Sequence, residues 1–288
     1  LNPTPPAADA TCTADALSLR VQLLPLLEEG KDVVVVCHSY GGIPAGGAAR
    51  GLAKKEREAR DEKGGVLGLI YLTSFVVPEG VSLVQFLGGQ HAPYVQQNQT
   101  GLVCSLQPTV PGRSAKKPLG DHTGLNGLVQ VESLSGQISG FELLVPHDAS
   151  YSSFHIIINH NPHSFQLLTL TQPSPGLCLV SPPIPVLYAD VPAPLASTLE
   201  FSLLPHSLAA FDSTAPAPAW AEPAFAGRIA FLKCSADVAL PPFLQDLFIE
   251  KSGVEWLVRE VETGHSPWAS RPEELAEIIG GWVEVFAG

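Results

Sequence analysis

Four consecutive valines, Val33 to Val36, run through Cys37 into His38-Ser39-Tyr40-Gly41-Gly42. A β-branched run this short does not make a helix; it predicts a strand buried on both faces, as in a parallel sheet. Two glycines and then a row of small residues, Ala45 to Ala49, predict a sharp turn into a helix that lies close against that sheet. Strand, tight turn and helix in this order commit the chain to an α/β architecture.

The surrounding sequence extends the pattern. Upstream, an apolar stripe through Leu17, Leu19, Val21, Leu24 and Leu27 predicts a helix capped by Thr13 and stopped at Glu29-Gly30. Downstream, the helix is expected over 43–62, its tail KKEREARDEK alternating in sign and reading as a solvated face. Residues 64–72, GGVLGLIYL, form a second buried strand, so a right-handed parallel crossover is implied. The same grammar returns near the C-terminus: a strand over 228–234, a helix from Pro242 to Lys251, a strand over 254–261 and a last helix from Pro272. The two ends read as one doubly wound, mostly parallel sheet, with core segments 1–77 and 216–288.

Residues 78–215 read as a cap carrying an atypical insert. From Pro118 to Gly227 there is no lysine or arginine. Within this region LASTLEFSLL has a helical pattern suited to a cap. Residues 121–183 have weak periodicity and many turn residues, so an inserted lid, a poorly ordered segment and a translated non-coding stretch all fit them.

The net charge of −12 argues against a nucleic-acid or anionic-membrane partner. No run approaches the roughly 18 consecutive apolar residues of a membrane span. Five scattered cysteines without a CxxC pair give neither a disulfide framework nor a zinc signature, and a reducing, cytoplasmic compartment is expected. The chain opens on Leu1 and contains no methionine, which reads as a processed, truncated or incompletely defined product, and any targeting segment would have been lost with the missing start.

The chemistry is expected at Ser39. A strand-to-helix turn exposes the serine, the helix start presents its positive end to the serine oxygen, and the Tyr40 backbone N–H is suited to an oxyanion. The plainer alternative is a turn serine in a dinucleotide-type loop, but the required GxGxxG is absent. A reactive serine needs a base and an orienting acid. His265, in VETGHSPW, follows one predicted strand, and Asp237, in FLKCSADVALPP, follows another. Their chain order, Ser39, Asp237, His265, is that of a Ser…Asp…His triad on an α/β sheet.

On the strength of VVVVCHSYGG, GGVLGLIYLTSFVVPEGVSL, FLKCSADVALPPFLQ and VETGHSPWASRPEELAEII, the chain resembles the α/β-hydrolase superfamily. Within it, the likeness is to small fungal and bacterial hydrolases similar to plant methylesterases and hydroxynitrile lyases. The resemblance implies Ser39 as nucleophile, His265 as general base and then acid, Asp237 as the orienting acid, and no cofactor. In the lyases a lysine follows the catalytic histidine; here that position is Ser266, which favours ester hydrolysis over cyanohydrin cleavage. Family members also begin with a strand and an apolar-glycine loop that supplies a second oxyanion donor. No such segment precedes LNPTPP, so the resemblance implies an incomplete N-terminal part and an open edge beside Val33–Cys37. Loss of one such donor lowers the rate about 100- to 1000-fold.

The expected substrate is a small, largely apolar ester or lactone. A cofactor-free lyase or oxygenase using the same triad, and an inactive or truncated member acting only as a binding protein, are the alternatives. His38, His206 and Trp268 are candidate pocket residues. Asp190 reads as structural, and Asp246 is the runner-up for the acid. His155, His160 and His163 have a spacing that fits no common zinc site, and no metal is expected.

Overall fold

Helix α1 (Cys12–Glu28) starts where Thr11, in extended conformation, accepts the Ala14 N–H with its side chain at 3.2 Å. The cap is therefore Thr11 rather than the expected Thr13, which lies inside the first turn; only a residue still outside the helix can turn its oxygen back on a free N–H. Strand β1 (Asp32–Ser39) follows, then α2 (Gly42–Ala49) and β2 (Gly65–Ser74). The helix expected over 43–62 ends at Ala49, because Gly51 takes a left-handed φ of 67° and turns Leu52 and Ala53 into the core. A separate short helix, Lys54–Glu58, carries the charges.

The computed structural model describes residues 7–97, 141–144, 153–161, 164–171 and 175–288. It forms two units, one of 1–97 with 176–288 and one of 98–175. Much of the predicted insert over 121–183 lies outside the described residues. In the smaller unit, Phe141–Leu144, Ser153–Asn161 and Ser164–Thr171 pair as a three-stranded antiparallel sheet in that order.

In the larger unit, helix α3 spans Ala193–Ser202. It is followed by β3 (Ile229–Cys234), α4 (Pro242–Ser252), β4 (Leu257–Val261) and α5 (Pro272–Ala287). The strands form one all-parallel sheet in the order β1-β2-β3-β4. Alternation along β2 and β3 assigns the helices to faces. Leu69, Tyr71 and Phe231 join a cluster with Leu23 and Leu27 of α1, Ala45 of α2 and Phe248 of α4. Ile70, Leu72 and Leu232 point the other way, to Leu275, Trp282 and Phe286 of α5. Both faces are thus covered by helices, the doubly wound arrangement. Each large apolar side chain buried this way is worth about 1.5–3 kcal/mol.

β1 departs from its expected burial. Among the described residues it pairs with β2 alone, and its side chains are mostly half-buried, with Val36 44% exposed. Val33 and Val35 pack on the cluster under α1 and α2, but on the opposite face Val36 is left uncovered. A β-branched run reports strand propensity; it does not report which helices cover each face of the strand.

A second, antiparallel sheet of three short strands joins Val95–Gln97, Leu177–Val180 and His206–Ser207, with Gln97 paired to Cys178. Among the described residues no helix is long and apolar enough to cross a membrane.

Because β1 to β4 run parallel, their C-terminal ends share one edge of the sheet. Ser39 closes β1, Thr73 and Ser74 close β2, Asp237 lies three residues past β3 and His265 four past β4.

Candidate active site

Ser39 sits at the end of β1 with φ of 54°, in the left-handed region that a side chain disfavours. The turn is held by its surroundings: the Ser39 carbonyl accepts from Ser74 Oγ at 2.6 Å and from the Phe75 N–H at 3.1 Å. Gly42 opens α2 where no larger residue fits. A Cβ there would lie 2.3 Å from Ser74 Oγ and 2.6 Å from the Phe75 carbonyl oxygen. Cys37, two residues before Ser39, is buried, and its Sγ lies 3.4 Å from the Ile70 carbonyl oxygen. Burial pushes its thiol well up from the ordinary range, so it packs rather than reacts.

The sheet edge brings the three strand-end residues together. Ser39 Oγ is 3.0 Å from His265 Nε2, and His265 Nδ1 is 2.7 Å from Asp237 Oδ2. Asp237 is 2% exposed and His265 4%. A buried carboxylate needs partners, and Asp237 has them. Oδ1 accepts from the Ala239 and Leu240 N–H groups at 2.8 and 2.9 Å, and Oδ2 accepts from Thr73 Oγ1 at 2.6 Å. Since the carboxylate accepts at Nδ1, the imidazole proton belongs there and Nε2 offers its lone pair to the Ser39 hydroxyl. That arrangement can take a proton from Ser39 and stabilise the imidazolium that results.

The groups open on a cavity of about 320 Å³. Leu83, Leu87, Leu187 and Phe211 are among its walls, and His38, His206 and Trp268 line it as well. His206 donates from Nδ1 to the Ser207 carbonyl at 2.9 Å and stacks on Phe211, and burial lowers its pKa. Trp268, 41% exposed, stands at the rim. Tyr40 turns its hydroxyl onto Asp15 Oδ2 at 2.5 Å, tying the serine turn to α1; its backbone N–H follows Ser39 directly. His38 Nε2 lies 2.7 Å from the His265 carbonyl oxygen. A separate depression of about 530 Å³, lined by Arg20, Glu28, Arg57 and Glu62, contains none of these groups.

Asp246 is not brought to the site: it pairs with Lys233 Nζ at 2.6 Å. Asp190 accepts the Gly264 N–H at 2.8 Å, beside His265. Thr73 escaped the sequence reading; its one signal is a hydroxyl at the very end of a buried strand. Of the three spaced histidines, His155 and His160 fall on Ser153–Asn161, whose side chains are not described, and His163 lies outside the described residues.

The model of the alpha/beta hydrolase family matches residues 2–278. The chain belongs to the alpha/beta hydrolase family. An alpha/beta hydrolase of Aspergillus novofumigatus, nvfD, is 37% identical over 97 residues, 34% of this chain and 36% of that protein. The matched stretch spans about a third of the length of the curated relatives. Two crystal structures share the alpha/beta hydrolase fold with it. A pyrethroid hydrolase from Sphingobium faniae superposes with a TM-score of 0.51 at 15% identity, over 96% of this chain and 78% of that one. A methylesterase from Arabidopsis does so with a TM-score of 0.51 at 17% identity, over 95% and 78%.

Proposed function

We propose that this alpha/beta hydrolase is a serine esterase that cleaves small, largely apolar esters or lactones through Ser39, His265 and Asp237, without a cofactor. One observation carries the reading: an unbroken hydrogen-bonded line from Ser39 Oγ to His265 Nε2 (3.0 Å) and from His265 Nδ1 to Asp237 (2.7 Å), facing an apolar cavity. The description of its fungal relative as a hydrolase is in keeping with it.

In this mechanism His265 Nε2 takes the Ser39 proton as Oγ attacks the ester carbonyl carbon. The carbonyl oxygen becomes an oxyanion, which the Tyr40 N–H stabilises at the start of α2. Collapse of the intermediate breaks the bond to the alcohol oxygen, and the His265 proton goes to that oxygen. The acyl-enzyme is then opened by water, which gives a proton to His265 as it attacks; that proton returns to Ser39 Oγ as the acid leaves. Asp237 holds the imidazole tautomer throughout, itself fixed by Thr73 and two backbone N–H groups.

The test uses the full chain and p-nitrophenyl butyrate. Ser39→Ala is expected to lose turnover on the order of 10⁶-fold relative to a fully active enzyme. A fluorophosphonate probe is expected to label Ser39, as mapped on peptides. Turnover retained by Ser39→Ala, or a label that maps to another residue, overturns the reading.

A further inference from the structure

The side chain of His265 is aligned by Asp237, but its backbone belongs to a loop between β4 and the short helix Pro267–Ser270. Loops drift more than the elements they join, and a base displaced by an ångström loses much of its effect. Two contacts bear on that loop from outside. On the N-terminal side, Asp190 Oδ2 accepts the Gly264 N–H at 2.8 Å. On the C-terminal side, His38 Nε2 meets the His265 carbonyl at 2.7 Å.

The chemistry of each contact is specific. A carbonyl oxygen only accepts, so Nε2 of His38 carries the proton in that bond. His38 also sits with its ring centroid 4.7 Å from that of His265. A cationic donor at that distance would oppose the imidazolium that forms when His265 takes the serine proton. Burial and the neighbouring His265 hold the His38 pKa down to about 3, so its ring donates while staying neutral. The approach of Asp190 depends on the glycine: a Cβ at position 264 would lie 2.6 Å from Asp190 Oδ1.

We propose that His38 and Asp190 are positioning residues that grip the loop on either side of His265 and thereby set its distance from Ser39. The residue next to the nucleophile and a residue of the cap region then both act on the base through its backbone. This rests on the reading of Ser39 and His265 as nucleophile and base.

The experiment compares His38→Phe, His38→Gln, Asp190→Leu and Asp190→Asn in the full chain, with Ser39→Ala alongside. p-Nitrophenyl butyrate is the substrate, and thermal midpoints are measured for each variant. Phe keeps a ring without the donor, and Leu removes the acceptor; both are expected to lower kcat about 10- to 100-fold with KM within about twofold. Gln restores an N–H donor and Asn keeps an acceptor oxygen, so both are expected to recover kcat to within a few-fold of the parent. If Phe and Leu leave kcat unchanged, or if Gln and Asn are as poor as Phe and Leu at equal thermal midpoints, the grip is refuted and the residues only fill space. If Ser39→Ala remains active, the underlying assignment has failed, and the grip falls with it.

Discussion

His38 neighbours Ser39 in sequence, yet its ring meets the loop that follows the opposite edge strand, β4. Its pKa of about 3 lies far below the ordinary 6.5, chiefly because burial disfavours the charged ring and because it faces His265, with Asp237 pulling weakly the other way. The sign of the consequence follows. Between about pH 6.5 and pH 3 the unfolded chain protonates this histidine and the folded chain does not, so stability falls as the pH falls through that window. Above the window both states are neutral and the contribution is fully present. Urea denaturation from pH 7 to pH 4 is therefore expected to show a shallower loss of stability in His38→Gln than in the parent, whatever the other groups contribute. How far such residues can be read in advance depends on what they touch. That Ser39, Asp237 and His265 meet is legible, because each follows or closes a parallel strand at its C-terminal end. Thr73 is not, nor are the contacts of His38 and Asp190 with the His265 loop, because the partners are backbone atoms or a buried carboxylate supplied from far along the chain.

Among the elements, the junction of β1 with α2 bears the tightest constraint. Ser39 holds a left-handed φ there, and α2 begins against Ser74, Phe75 and Tyr71 with room for no side chain at Gly42. Gly42→Ala is expected to push α2 off β2 and cost about 1–3 kcal/mol by overpacking, read as a lower urea midpoint. Because the same helix follows directly on Ser39, fluorophosphonate labelling is expected to slow with it. The parallel direction of the strands could be read from strand–helix–strand spacing, since a helix between two strands carries the chain back to the end at which the first strand began. The burial of β1 could not. Val33 to Val36 specify extended backbone, whereas the exposure of Val36 is set by which helices cover that face, a property of the assembled sheet. The break at Gly51 was hidden for a similar reason: small residues and charges on either side continue a helical composition through a backbone that turns.

At the scale of the molecule, the chain returns from Asn98–Pro175 to the place it left. Gln97 and Cys178 are partners across an antiparallel ladder, and Val95, Leu179 and Val180 of those two strands line the cavity. The seventy-eight-residue excursion between them therefore behaves, for the unit that carries Ser39, as a hairpin loop of unusual length. Loop-closure entropy rises only slowly with length, so the ladder can tolerate a connection of this length. A chain in which residues 98–175 are replaced by a short Asn-Gly turn, keeping Gly176 and Leu177, is expected to fold with a thermal midpoint within a few degrees of the parent and to keep its labelling by the fluorophosphonate probe. On that expectation the ladder at Gln97 and Cys178 marks a splice point, where one connecting sequence can be exchanged for another while the strands that wall the cavity stay paired.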